Sequence, residues 1–335
     1  MSKATLKTIA QYTGLSVTTV SRALKDGDDV KQPTKEIVKA AAEKLGYRPN
    51  LSGSGLRTGK NYNVCAILPV QRPGDVVGDI GTLALIEGFT AALEGTPYHL
   101  TVLPLQPGVD PIVPVKYAVE NNLAGGIIMN LTEPNDARVR YLSEEEIPFV
   151  TFGQTELSVD HAFFDIDNYD FGYRASCYLY QRGCRNLRMI NTSPAHTYSW
   201  HKYYGARRAA MEFGQPFEQE SHVIQDASVQ DYRALGRQLG QDPAQPDGFL
   251  CSSEVSAMGL SAGLQDAGKV VGRDVHIVTV ETCALPSYFM PPISGFRQNF
   301  NDAGRQLIDF LLKLMDGASP ADLKVVHKME FFERT

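Results

Sequence analysis

Gly14 is the residue that most restricts what this chain can build. Upstream of it Leu6, Ile9 and Ala10 recur at helical spacing, and downstream Val20, Ala23 and Leu24 form a second apolar stripe that stops at Asp26-Gly27. Two short helices joined through one glycine turn can hide both stripes only by packing against each other at an angle, which predicts a helix-turn-helix. Ser16 suits the N-cap of the second helix. A third stripe, Ile37, Val38, Ala41 and Leu45, begins around Pro33-Thr34, where proline fits a first helical turn, and runs to Gly46, so a three-helix core closes.

In such a module the start of the second helix enters the major groove of DNA, which turns Val17, Thr18, Ser21 and Arg22 toward the bases. Arg22 can donate a bidentate pair to a guanine edge, while Val17 and the Thr18 methyl suit thymine methyls. Hydroxyls at Thr5, Ser16, Thr19 and Ser21 suit phosphate oxygens, which set register rather than sequence. Charge agrees with this reading. The first sixty residues hold eleven Lys and Arg against five acids, a balance of +6, and leave the remaining residues at −12. A basic head on an acidic body fits a polyanion-binding module whose body the polyanion repels. The alternative for the same pattern is a small helical bundle used for protein contacts.

From Asn61 onward, short β-rich runs alternate with helical segments: VCAILPV, HLTVLPL, GGIIMN and PFVTFG, then LRMINTS, SHVIQD, GFLCSS and VHIVTV. That alternation predicts parallel sheets made from βαβ units. The two sets are alike, the first strand of each leading to a helix that carries Gly88 and Ala92 or Gly205 and Ala209. The α/β body is therefore expected to be two similar subdomains, with a ligand at the carboxyl ends of the strands between them. Strand ends nominate Arg72 and Asp75 after the first run and Asn130 after GIIM, and Tyr198 and Trp200 as flat apolar surfaces.

The segment TLKTIAQYTGLSVTTVSRAL, followed by AAEKLGYRPN and Leu56, resembles the DNA-binding head of the LacI/GalR (lactose repressor) family. The body resembles the same family's periplasmic-binding-protein-like core, through Asp167-Asn168, Arg182-Gly183-Cys184-Arg185, Pro291-Pro292-Ile293 and Gln298. The resemblance implies three parts: a helix-turn-helix DNA-binding domain over residues 1–49, a hinge over 50–60, and an effector-binding and dimerisation core of two α/β subdomains over 61–335. The Gly/Ser-rich hinge reads locally as a linker. By resemblance it becomes a short helix on DNA, with Asn50 and Leu56 as contacts and Leu56 wedged into the minor groove. Lys202 stands where the family usually has a ligand-binding arginine, Ser253-Glu254 where it has Asn-Asp, and Glu281 at the first Asp of its G-[FY]-D-D motif. These replacements imply an effector unlike the commonest hexoses.

The expected molecule is a homodimeric repressor that binds a pseudo-palindromic double-stranded DNA operator and responds to a small, sugar-like effector. No cofactor, metal or catalytic residue is expected. The five cysteines are scattered without a C-x-x-C pair, the histidines lack metal-ligand spacing, and Gly59-Lys60 fails the phosphate-loop pattern at Ser54 and Asn61. The absence of an export signal or a long apolar run predicts a cytoplasmic protein without a membrane span. No heptad tail precedes Thr335, which argues against tetramers through a C-terminal coiled coil. Two other classes fit part of the pattern. A solute-binding protein shares the body fold but is opposed by the basic head, and an α/β enzyme is opposed by the lack of a nucleophile elbow or phosphate loop.

Overall fold

The computed structural model describes residues 4–47, 61–70, 80–225, 227–242 and 246–334. The chain separates into two compact units, Met1–Lys60 and Asn61–Thr335.

The first unit is built from α1 (Leu6–Thr13), α2 (Val17–Leu24) and α3 (Gln32–Lys44). Thr5 caps α1 in a reciprocal pair with Thr8, and Gly14 ends it in the left-handed region at φ 71°. Only glycine adopts that turn without strain. Ser16 caps α2 by accepting from the Thr19 N–H at 3.0 Å. Ile9, Ala10, Val20, Ala23, Val38, Ala41 and Ala42 fill the core. One expected core position is wrong: Ile37 is exposed, because α3 packs through Val38, Ala41, Ala42 and Leu45, and a residue one step before that stripe is rotated about 100° off it.

In the second unit the elements run β1 (Asn63–Pro69), α4 (Ile80–Leu93), β2 (His99–Leu105), α5 (Ile112–Glu120), β3 (Gly126–Met129), α6 (Ala137–Glu144), β4 (Phe149–Phe152) and β5 (Ala162–Ile166). They continue with α7 (Asn168–Gln181), β6 (Leu187–Asn191), α8 (Thr197–Glu212), α9 (Gln219–His222), β7 (Val223–Gln225), α10 (Val229–Gln241), β8 (Gly248–Cys251), α11 (Glu254–Asp266) and β9 (His276–Glu281). The last are β10 (Ser294–Arg297), α12 (Phe300–Met315), β11 (Lys324–His327) and β12 (Glu330–Phe332).

Two six-stranded sheets result, in the orders β11-β5-β4-β3-β1-β2 and β12-β10-β9-β8-β6-β7. The first is parallel throughout, and β12 alone runs antiparallel in the second. All eight strands expected from the alternation form. Four more, β5, β10, β11 and β12, carry no clear signal of their own: β5 holds Asp165 inside its apolar run, and the others mix their apolar residues with Arg297, Lys324, His327 and Glu330. These four frame the passages between the halves. The chain crosses from the first sheet to α7 after β5, returns through Gln298 into α12 after β10, and crosses again between β11 and β12.

The likeness of the halves lies in their helix pairs. Gly88 on α4 sits against α12, where an added methyl would strike the Asn301 carbonyl oxygen; Gly205 on α8 sits against α7, where a methyl would strike that of Tyr169. Both pairs come close enough for backbone to meet backbone.

Candidate functional site

Two places in the molecule present chemistry. The first is the face of α2 opposite Val20 and Ala23. Val17, Thr18 and Arg22 lie exposed there, with Thr19 and Ser21 partly buried beside them. Thr5 and Ser16 are exposed too, yet both hydroxyls already serve as caps: Thr5 Oγ1 lies 2.9 Å from Thr8 Oγ1 and Ser16 Oγ 2.8 Å from Thr19 Oγ1. In each pair one hydroxyl donates to the other, so one hydroxyl hydrogen per pair remains for an outside acceptor. Several basic groups are tied down. Lys39 and Lys35 hold Asp26, Lys44 lies over the Tyr12 ring, and Arg22 donates to Asp29 at 2.6 Å. Asn50 and Leu56 lie outside the described residues.

The second place is the cleft of the core, with a volume of about 240 Å³ where the carboxyl ends of strands from both sheets converge. One wall carries Asn130, Phe152 and Asp165, the other Tyr198, Lys202 and Glu254, and Gln298 of a crossover closes the floor with Phe300. Burial sets the character of these groups. Asp165 is 4% exposed, and although it accepts from the Ile166 and Gln154 N–H groups, desolvation pushes its carboxyl up to about 6. Glu254 is raised in the same way by burial, against the backbone N–H groups of Thr282 and Cys283 that it accepts. Asn130 Oδ1 is buried without a hydrogen-bond partner among the described residues. The Lys202 ammonium lies 5.1 Å from the centre of the Tyr198 ring and 5.8 Å from that of Phe171. Among the described residues such a cleft offers acceptors, a cation and aromatic faces, which is the equipment for a hydroxyl-rich ligand.

Asn130, Tyr198, Lys202 and Ser253 come together as cavity lining. Ser253 also caps α11 through the Ser256 N–H. Two nominated residues go elsewhere. Tyr198 and Lys202 are four apart on α8 and share a face, so Trp200, two residues from each, projects away and donates its indole N–H to the Pro194 carbonyl at 2.7 Å. Glu281 ends β9, and strand alternation turns it away from the side that Val280 and Thr282 present to the cavity. It is fully buried between Arg297 at 2.7 Å and Arg334 at 2.7 Å. Arg72 and Asp75 lie outside the described residues.

Sequence reasoning missed Asp165, Asn168, Phe152 and Phe300 as lining. A carboxylate inside the apolar run AFFDI was the available signal, since burying it without purpose is costly.

Along one lip the halves also touch directly. The Thr197 N–H donates to the Thr132 carbonyl at 2.9 Å, and His201 Nε2 lies 3.1 Å from Glu156 Oε1. Behind them His196 stacks on Tyr198, and burial, with Arg138 nearby, lowers its imidazole to about 4. Among the described residues no helix is long and apolar enough to cross a membrane.

Comparison with known proteins gives two family matches. Residues 5–50 match bacterial regulatory proteins of the lacI family, and residues 177–335 match the periplasmic binding protein-like domain. Over 314 residues the chain is 29% identical to the HTH-type transcriptional regulator AglR of Rhizobium meliloti, covering 92% of this chain and 86% of that one. It is 27% identical to the HTH-type transcriptional regulator RafR of Escherichia coli over 98% of this chain and 96% of the relative. Among solved structures, a lac repressor dimer bound to operator and the anti-inducer ONPF superposes with a TM-score of 0.83 at 17% identity, over 99% of this chain and 98% of that one. The complex of the transcriptional regulator CelR with cellobiose superposes at 0.71 with 21% identity, over 99% of both chains.

Proposed function

Because this chain belongs to the lacI family of bacterial regulatory proteins, we propose that it is a cytoplasmic, homodimeric repressor whose grip on DNA is set by a neutral carbohydrate held in the core cleft. In this reading residues 1–49 bind DNA, 50–60 form the hinge, and 61–335 bind the effector and dimerise. Val17, Thr18, Ser21 and Arg22 face the bases, with Thr5, Ser16 and Thr19 near phosphates and Asn50 and Leu56 contacting DNA from the hinge. Two copies of one reading helix account for a pseudo-palindromic operator.

The observation that carries the effector assignment is Asn130 Oδ1, a buried acceptor without a partner among the described residues, on the wall of a cleft. Leaving such an atom unpaired costs about 1–3 kcal/mol, and a ligand hydroxyl removes that cost. Asp165 and Glu254, both shifted by burial toward the neutral acid, add groups that donate or accept as the ligand requires. Tyr198, Phe152 and Phe300 supply apolar faces for the C–H side of a sugar ring. In the solved CelR complex a relative of the same fold holds cellobiose. Arg72 and Asp75 complete the site in this proposal.

A thermal-shift series with neutral mono- and disaccharides, sugar alcohols, sugar acids and sugar phosphates tests it, since a ligand that binds only the native state raises the melting temperature. A neutral saccharide is expected to give the largest shift. A shift confined to the acids or phosphates would replace the neutral sugar with an anion paired to Lys202.

A further inference from the structure

On the reading face of α2, the turn that follows the helix brings a carboxylate onto Arg22. Asp29 Oδ2 lies 2.6 Å from Arg22 Nη1, and the two side chains remain 53% and 60% exposed. A pair so open to water is worth little to folding, so its use lies elsewhere. We propose that Asp29 is a positioning residue for base recognition, which holds the Arg22 guanidinium edge-on to the groove and so sharpens discrimination at the base pair that Arg22 reads. The proposal rests on the assignment of α2 as the DNA-reading helix.

The turn is constructed to hold that carboxylate in place. Gly27 N–H donates to the Arg22 carbonyl at 3.0 Å, and Val30 N–H to that of Gly27 at 3.1 Å. Asp26 sits in the left-handed region at φ 54° and is clamped to α3, its carboxylate by Lys39 at 2.9 Å and its carbonyl by Lys35 at 3.0 Å. Gly27 makes the passage: a Cβ there would lie 2.9 Å from Asp29 Oδ1 and 3.3 Å from the Arg22 carbonyl oxygen, so any side chain pushes the carboxylate aside. A guanidinium carries five N–H donors in a rigid plane. Asp29 engages one on Nη1 and leaves an outer edge free to fork onto guanine O6 and N7. Fixing the plane beforehand removes rotamer entropy that binding must otherwise remove. The same carboxylate adds a negative charge beside the reading residue, and so repels the polyanion whatever its sequence. Asp29 therefore exchanges general affinity for selectivity.

The test uses the full chain and duplexes selected by it from a randomised pool, their single-base-pair variants, and a scrambled duplex. Asp29→Ala is expected to lower discrimination about fivefold or more at the one base pair that Arg22→Ala also relaxes, while affinity for the scrambled duplex rises about two- to fivefold at low salt. Asp29→Asn keeps an acceptor oxygen and should retain most of the discrimination while sharing the rise. Gly27→Ala keeps the charge but displaces it, and should lose discrimination without the rise. Unchanged discrimination in Asp29→Ala overturns the proposal, and so does an equal loss at every base pair, which a merely structural role would give. A wild-type chain that selects no consensus at all overturns the DNA-reading assignment, a result distinct from either.

Discussion

The side chain of Arg22 in the head is 60% exposed, whereas Lys202 in the core is 5% exposed, and in the proposed function the two cations mark opposite ways of recognising a partner. The head works on its surface. Its small core of Ile9, Val20, Ala23 and Val38 fixes the angle of α2, and the groups proposed to read a duplex, Val17, Thr18 and Arg22, stand exposed to water. In the same proposal the core works by desolvation: a ligand supplies the partner that Asn130 Oδ1 lacks among the described residues and meets two carboxyls, Asp165 and Glu254, that burial has shifted toward the neutral acid. The difference teaches where electrostatics is perturbed by burial. Asp165 rises to about 6 and His196 falls to about 4 around the cleft, while Asp26 in the head is lowered by an exposed lysine partner.

The strongest way to separate the regions is to damage one and measure the other. Gly205→Ala forces a methyl into the Tyr169 carbonyl where α8 meets α7. Overpacking of this kind costs about 3 kcal/mol or more, read as a lower urea midpoint of the core transition, with the helical signal of an isolated head fragment as a control for the rest. An unchanged midpoint would mean that the two helices part readily.

Arg22→Ala should weaken binding to the selected duplex by about 1–3 kcal/mol and relax one base position, with the sugar-induced thermal shift untouched. An unaltered footprint removes Arg22 from the readout.

A pH series sharpens the contrast from the other side. The folded-state pKa of Asp165 lies above the ordinary carboxylate value, so the folded state favours the protonated acid. The destabilisation it causes is absent below about pH 4, develops as pH rises toward 6, and is complete above that. Relative to Asp165→Asn, wild-type stability should therefore fall by roughly 1–3 kcal/mol between pH 4 and 7. A flat difference would show that the carboxyl is solvated after all. The head offers no buried counterpart among its described residues, and its unfolding should not show this dependence.

The smallest effect belongs to the caps. Ser16→Ala removes the acceptor for the Thr19 N–H and should cost about 1 kcal/mol of head stability. Circular dichroism of the head transition reads it, and no loss would mean that water caps α2 equally well.

The same contrast explains what could be read in advance. The head's stripes, Gly14 and Ser16 act on their neighbours in sequence, so its helices and their outward residues were legible directly. Only Ile37 misled, because two adjacent apolar residues cannot both lie at the centre of one stripe. In the core the eight strands were legible from alternation, but the cleft is assembled from strand ends, helix starts and loops scattered between Pro69 and Phe300. Local rules then fail in a predictable manner. Trp200 is an attractive sugar platform by residue type and is turned away by helical periodicity; Glu281 is an attractive ligand group by motif position and is turned inward to two arginines by strand alternation. Asp165 and Phe300 sit at the crossovers, whose partners are set by topology that no single segment encodes.

In the proposed function one molecule couples an exposed reader to a buried sensor. The most direct measurement is the affinity of the full chain for its selected duplex with and without the saccharide that gives the largest thermal shift, in wild type and in Lys202→Ala. Wild-type affinity should change at least about tenfold, a coupling of about 1.4 kcal/mol, and Lys202→Ala should bind the duplex as wild type does while losing the response. Equal wild-type affinity in the presence and absence of every stabilising ligand would contradict the coupling.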